Sequence, residues 1–418
     1  MGQRFSAQHD HPRNQAQRGR DSPMTRRIIT AVAVLIVAVV AIDWTFWYRF
    51  ATIRDQTSIS IPGWISPTAT VEGDFREALV SVDPADRVLS ASAIAELVDY
   101  AEQVDSFSLI VHHGEGIQFE TYWREFGPDD VTETLSMAKS VLGLTFGFAV
   151  EDGSIASIDD PVTEYISEWR GTEREGLTIR QVLQMASSLE HFPFDYSLLQ
   201  NPFNKALRLF IGPHMENAIL RFDLTADPGT EFNYNSANSQ LLLLILERAT
   251  GRAYADYVSE KLWRPLGAKP ATLWMDRDGG MPKAYAFFQA RPRDWLRIGL
   301  AIRNDGVVDG RQVIPAEWLA AMFSPSPNNP KYGLQAWIGS PHVTERFYNR
   351  NTPFGVKQAE PFLADDVVFF DGGGGQRVYV IPSADLVIVR TGMPSMDWDD
   401  GVIPNIILRD LGYGKDLS

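Results

Sequence analysis

Residues 136–151 read as a helix without a polar face. Leu142, Leu144, Phe146, Phe148 and Ala149 crowd it, and a helix that is apolar all round must be covered all round. Asp152-Gly153 marks its end. Covering such a helix takes a substantial body. The chain has 418 residues, more than one typical domain of roughly 100–200 residues needs. One large domain with an insertion, or two intimately packed domains, is expected. Hydrophobic residues make up 44% and charged residues 22%, near the globular average, which excludes wholesale disorder and a collagen-like chain.

Around this helix the pattern changes twice. A helical stretch at 91–104 (Ile94, Leu97, Val98, Ala101) precedes two β-rich runs, 106–112 and 117–123. His113-Gly114-Glu115-Gly116 joins those runs as a hairpin. Residues 155–300 alternate helical patterns with loops, most clearly at 240–250 and 253–266. Strand patterns return at 367–370, 377–381 and 386–390, and a helix at 399–411 closes the chain. Strands from both ends can share one antiparallel sheet, with the middle set apart. The expected fold class is therefore α+β: an antiparallel sheet flanked by helices, with an inserted all-helical lobe at roughly 155–300.

Ahead of this body lies a different kind of sequence. Residues 1–27 are polar and carry six Arg and two Asp, and read as a disordered cytoplasmic tail. Arg26 and Arg27 abut fifteen uncharged residues, Ile28 to Ile42, apolar except for Thr30. Trp44, Phe46, Trp47 and Tyr48 follow Asp43. Together, 28–48 reaches the ~20 residues of a membrane span, with aromatics at its end. A cleaved signal peptide is the competing reading, but Ile42-Asp43-Trp44 is too bulky for a small-x-small site. A soluble core helix is the third. The arginines keep the tail cytoplasmic, so a single-pass signal anchor in the inner (cell) membrane would hold the body on the periplasmic, extracytoplasmic side. Residues 49–90, with Pro62, Gly63, Pro67, Gly73 and Pro84, read as an arm. The body is then 91–418.

Charge and cysteine content exclude other classes. The net charge is −15, and nucleic-acid binding needs a basic face. Cysteine is absent, so there is no disulfide framework, thiolate nucleophile or Cys-ligated metal. His112 and His113 are adjacent on a strand and point to opposite faces, so they cannot chelate one metal together. No Gly-x-Ser-x-Gly elbow occurs.

Three features carry chemistry. Ser136-Met137-Ala138-Lys139 opens the apolar helix. Positions i and i+3 share a face, so the Lys139 amine can reach the Ser136 hydroxyl. A serine is a weak nucleophile until a base takes its proton, and burial lowers a lysine pKa toward that task. The plainer reading is a capping serine beside a snorkelling lysine. Second, Tyr234 in Phe232-Asn233-Tyr234-Asn235-Ser236 precedes another apolar helix, where a phenol can relay a proton to a leaving group. It can equally be a packed loop tyrosine. Third, Phe370-Asp371-Gly372-Gly373-Gly374-Gly375-Gln376 breaks a strand pattern with four glycines, which permit close approach of a ligand or backbone. A flexible hairpin tip is the alternative.

In this order, these elements resemble the serine β-lactamase and penicillin-binding-protein superfamily. The likeness is to its class C-like branch of esterases and 6-aminohexanoate-dimer hydrolases, over roughly residues 90–415. It includes Leu135–Ser140, the run from Tyr234 to Leu242, Ala290-Arg291-Pro292-Arg293-Asp294-Trp295-Leu296-Arg297-Ile298-Gly299, and Gly375-Gln376. The resemblance implies a β-lactamase/transpeptidase-like fold and a serine hydrolase that cleaves an ester or amide through an acyl-enzyme, with no cofactor and no metal. Ser136 would be the nucleophile, Lys139 its base and Tyr234 the proton shuttle. The N–H groups of Ser136 and Gly373 would form the oxyanion hole. Tyr196 in Phe194-Asp195-Tyr196 would face the substrate, as would Ser236 and Asp371. Two departures stand out. Ser236 replaces the Asn of the Tyr-x-Asn motif, and Phe370-Asp371-Gly372 replaces a motif opened by Lys or His. In β-lactam-processing members that cation holds a substrate carboxylate, which Asp371 would repel. The alternative function is a penicillin-binding-like sensor or binding module that is acylated or occupied without turnover.

Overall fold

The computed structural model describes residues 23–53, 65–77, 79–191, 201–350, 352 and 355–414. Six antiparallel strands form its main sheet, in the spatial order Gly116–Tyr122, Ser106–His113, Leu386–Gly392, Gln376–Ile381, Val368–Gly372 and Trp337–Ile338. Both ends of the chain thus meet in one sheet. The strand Leu386–Gly392 is buried on both faces, and its side chains divide by parity. Leu386 and Ile388 join the core beneath helices Ala91–Gln103 and Val402–Asp410. Val387 and Val389 join the larger core on the opposite face, with the helix Pro292–Arg303 and the apolar helix Met137–Glu151.

Met137–Glu151 is covered on all sides, as its composition requires; every residue from Met137 to Ala149 is buried. The closest approach is at Gly147, where a Cβ would overlap the indole of Trp318. That indole donates to Gly143 O at 2.9 Å. The Arg-x-x-Asp of the helix Pro292–Arg303 has a structural reason. Arg291 forms a two-pronged pair with Asp294, Nε to Oδ2 at 2.7 Å and Nη2 to Oδ1 at 2.8 Å, while Asp294 also accepts from Lys269 N at 3.2 Å.

Among its described residues, the stretch 155–300 alternates helices with loops and also holds two strands, Ala271–Trp274 and Phe288–Ala290. These two lie in a four-stranded sheet between Thr68–Val71 and Thr132–Glu133. Thr68–Val71 lies in the segment expected as an arm, so that segment supplies a strand to the body. Its alternation of exposed and buried positions brings Val71 into the core.

The amino-terminal helix runs from Pro23 to Ile42, has no buried residue among those described, and is long and apolar enough to cross a membrane by length and composition. It stops six residues short of the expected span end. Trp44–Thr52 forms a separate helix, because its inner face has partners in the body. Phe46 is fully buried. Asp43 pairs with Arg208. Arg49 Nη1 donates to the carbonyls of Ile211 and Asp276, both at 3.0 Å, and its Nη2 to Ser66 O at 2.6 Å. The tail 1–22 lies outside the described residues.

Candidate active site

The nucleophile candidate sits on a bent approach. Leu135 has φ +50°, a conformation unfavourable for a bulky side chain. Glu133 holds it: its Oε1 accepts from Leu135 N at 2.8 Å and from Phe287 N at 3.0 Å. Burial pushes the Glu133 carboxyl up to about 7 against these N–H groups. Ser136 follows at the cap position of Met137–Glu151. One turn on, Lys139 Nζ lies 2.8 Å from Ser136 Oγ and donates to Tyr285 O at 2.7 Å. Burial pushes the Lys139 amine down to about 7, although the nearby Asp371 carboxylate favours its charged form. A substantial share of this lysine is therefore uncharged near neutrality, the state a base needs.

Tyr234 closes the other side. Its ring lies 5.0 Å from Lys139 Nζ, and the neighbouring Ser136 side chain works to lower its pKa. Burial, reinforced by Asp371, raises its phenol well above the usual value of 10. It remains a protonated phenol at neutral pH, a donor rather than a base. Asn235 fixes this loop by capping the helix Ser236–Thr250 through Ala237 N at 3.0 Å and donating to Leu189 O and Glu190 O. Ser236 is the half-buried first residue of that helix.

The four glycines form the tip joining Val368–Gly372 to Gln376–Ile381. A Cβ at Gly372 would overlap Thr134 O, and one at Gly373 would touch only Leu135, so the tip lies directly against the segment leading into Ser136. Gly374 and Gly375 have φ +72° and +96° and pack against Pro394 and Trp398. Gln376 ties the hairpin down, donating to Gly392 O at 2.6 Å and accepting from Gly392 N at 2.9 Å.

Asp371 departs from the expectation of a free anion. Its Oδ1 lies 2.5 Å from Arg377 Nη1 and its Oδ2 lies 2.8 Å from Arg346 Nη1. The same two arginines pair with Asp400 at 2.7 and 2.9 Å. Tyr348 donates to Asp371 Oδ1 at 3.2 Å. Two buried carboxylates thus face two buried guanidiniums, and the charge expected to repel an anionic substrate is balanced inside the protein. Burial alone would raise the Asp400 carboxyl; Arg377 and Arg346 overcome that and hold it near 2.

Residues 91–392 match the family of beta-lactamases, a span covering most of the chain and all of these groups except Pro394, Trp398 and Asp400. The chain belongs to the beta-lactamase family. The 6-aminohexanoate-dimer hydrolase of Paenarthrobacter ureafaciens is 30% identical to this family member over 271 residues, 63% of this chain and 68% of the relative. Among solved structures, a Bacillus anthracis protein provisionally assigned as a 6-aminohexanoate-dimer hydrolase superposes with a TM-score of 0.66 at 19% identity, over 85% of this chain and 93% of that one. EstCE1, a hydrolase with promiscuous acyltransferase activity, superposes with a TM-score of 0.56 at 15% identity, over 77% and 98%. The protein is thus a beta-lactamase-family hydrolase.

In this beta-lactamase-family member, Ser136, Lys139 and Tyr234 converge, with Gly373 beside the segment that carries Ser136. Tyr196 lies outside the described residues. Among the described residues no group of three or more His, Asp or Glu is placed to hold a metal ion. Sequence reasoning missed Glu133, Tyr285, Arg346 and Tyr348. A charge inside the apolar strand pattern at Arg377 pointed to a buried counter-ion; the carbonyl of Tyr285 left no signal, since any residue supplies one.

Proposed function

We propose that this protein is a serine hydrolase that opens an ester or linear amide bond through an acyl-enzyme. The observation that carries the reading is the 2.8 Å approach of Lys139 Nζ to Ser136 Oγ, in a site that holds the amine near 7. Neutral Lys139 takes the Ser136 proton as Oγ attacks the carbonyl carbon. The N–H groups of Ser136 and Gly373 receive the oxyanion. Tyr234 passes a proton to the departing alcohol or amine, and water, deprotonated in turn, releases the acid. Ser236 and Asp371, with its arginines, border the substrate, and Tyr196 is assigned to its acyl or leaving-group side. The helix Pro23–Ile42 is read as a single-pass anchor that holds this body on the extracytoplasmic face of the cell membrane.

A fluorophosphonate should label the protein once, with the adduct mapped to Ser136, and S136A should remain unlabelled. A p-nitrophenyl butyrate reaction should show a burst of nitrophenol followed by steady turnover. Label on another residue would end this assignment, and a burst without turnover would make the protein an acylated sensor. Because Arg346 and Arg377 are committed to Asp371 and Asp400, the described part of this edge offers no spare cation to a β-lactam carboxylate. A missing charge-assisted contact is worth about 2–3 kcal/mol, so a chromogenic cephalosporin should turn over ~10²-fold more slowly than with a resistance enzyme.

A further inference from the structure

The helix Trp44–Thr52 has two faces, and only one belongs to the body. Phe46 and Arg49 point inward. Trp44 and Tyr48, one turn apart, point outward with 63% and 49% of their surfaces exposed, and their rings stack at 6.3 Å. A third aromatic lies close by. Arg208 donates through Nε to Pro202 O at 3.2 Å, pairs with Asp43 through Nη1, and covers the Phe46 ring at 3.5 Å. One guanidinium therefore fixes Pro202 beside Asp43. The next residue, Phe203, is 77% exposed. Exposed aromatic residues on two segments that Arg208 ties together thus lie next to the end of the apolar helix Pro23–Ile42, one residue before Asp43.

We infer that Trp44, Tyr48 and Phe203 form a seat by which the body rests on the bilayer surface. The inference rests on reading Pro23–Ile42 as a membrane span. The occupant follows from continuity: a span ending at Ile42 puts lipid headgroups at the level of Asp43, and Arg208 holds the Phe203 loop at that level. Aromatic rings with one apolar and one wet side are what this interface favours. The orientation is fixed rather than loose, because Arg49 reaches the carbonyls of Ser66, Ile211 and Asp276 from the inward face of the same helix. The seat also lies one short helix from the chemistry. In Lys205–Ile211, Leu209 O accepts from the hydroxyl of Tyr285 at 3.4 Å, and the carbonyl of Tyr285 receives Lys139.

The absence of native cysteine makes the test direct. Full-length V34C, F203C and A95C proteins, each labelled with nitrobenzoxadiazole, are reconstituted into phosphatidylethanolamine/phosphatidylglycerol vesicles. Ala95 is exposed on the helix Ala91–Gln103, across the main sheet from the larger core. The expected result is quenching by spin-labelled lipid at 34 and 203, with a blue-shifted emission at 203, and quenching by aqueous iodide at 95. Lipid quenching at 34 with iodide quenching at 203 overturns the seat and leaves the span standing. Iodide quenching at all three positions overturns both. Protection of 203 from both quenchers places a protein, such as a second copy, on these rings and overturns the bilayer as occupant. Lipid quenching at 203 and 95 alike also overturns a directed seat.

Discussion

Replacement of Lys139 by methionine should lower kcat for ester hydrolysis by about 10²–10⁴-fold, the range expected for loss of a positioned base, while leaving the protein folded. Of the two groups with a pKa near 7 at the site, Lys139 is the one whose polar atom lies against the Ser136 hydroxyl, while Glu133 is engaged by backbone N–H groups. Burial brings the amine to about 7, and Tyr234, well above 10, cannot take the proton. The sign of the pH dependence follows. The wild-type acylation rate should rise with pH through about 7 as the amine loses its proton, then level off, and K139M should lose that limb. Stability moves the same way as activity, over a higher pH window. The native state depresses this pKa from 10.5, so near and below pH 7 holding the amine works against folding, an opposition that fades as pH rises toward 10.5. Methionine removes it, and K139M should melt no lower than wild type at pH 7. A K139M variant that keeps full activity, or one whose loss tracks unfolding, would remove Lys139 from the mechanism.

The second large effect is structural. D400N should destabilise the body by about 3–5 kcal/mol, because two buried guanidiniums would then face one carboxylate. The melting temperature should fall by on the order of 10 °C. Asp400 accepts from Arg377 Nε at 2.9 Å, Arg377 Nη2 at 2.7 Å, Arg346 Nη2 at 2.9 Å and Trp398 Nε1 at 2.8 Å, and its side chain is 1% exposed. The cause is charge imbalance rather than lost shape, so adding R346M to D400N should recover part of the loss. A double variant less stable than D400N would show that the arginine matters through packing on Trp337, whose ring lies 4.0 Å from its guanidinium carbon. The measurement is thermal unfolding of all variants at pH 7 in one buffer.

The central parts of this architecture were legible because they depend on local periodicity. An all-apolar helix announced its own burial, and the spacing of Ser136 and Lys139 followed from 3.6 residues per turn. The hairpin at His113–Gly116 and the strands near the carboxyl end followed from alternation and turn residues. What could not be read depends on partners far along the chain. Asp371 looked like a lone anion because Arg346 lies in a two-residue strand without a periodic signature. The aromatic run at 44–48 has the composition of a membrane interface. Partners more than 150 residues away, Arg208 on Phe46 and the carbonyls that Arg49 reaches, show that one of its faces belongs to the body. The segment 49–90 read as an arm because Thr68–Val71 is too short to signal a strand before its partner Ala271–Trp274 is known. At the site, the acceptor for Lys139 is a backbone carbonyl, which carries no side-chain mark.

The grip of Arg49 also sets an order of assembly. This arginine leaves the ribosome long before its acceptors at Ile211 and Asp276, 162 and 227 residues later. That guanidinium must stay solvated until the middle of the polypeptide arrives. The late-arriving strand Ala271–Trp274 then supplies the Trp274 ring, 5.2 Å from its guanidinium carbon. Docking of the helix Trp44–Thr52 and completion of the small sheet are therefore coupled through Arg49. If the proposed anchor is shed by a protease, a cut upstream of Asp43 would spare every one of these contacts.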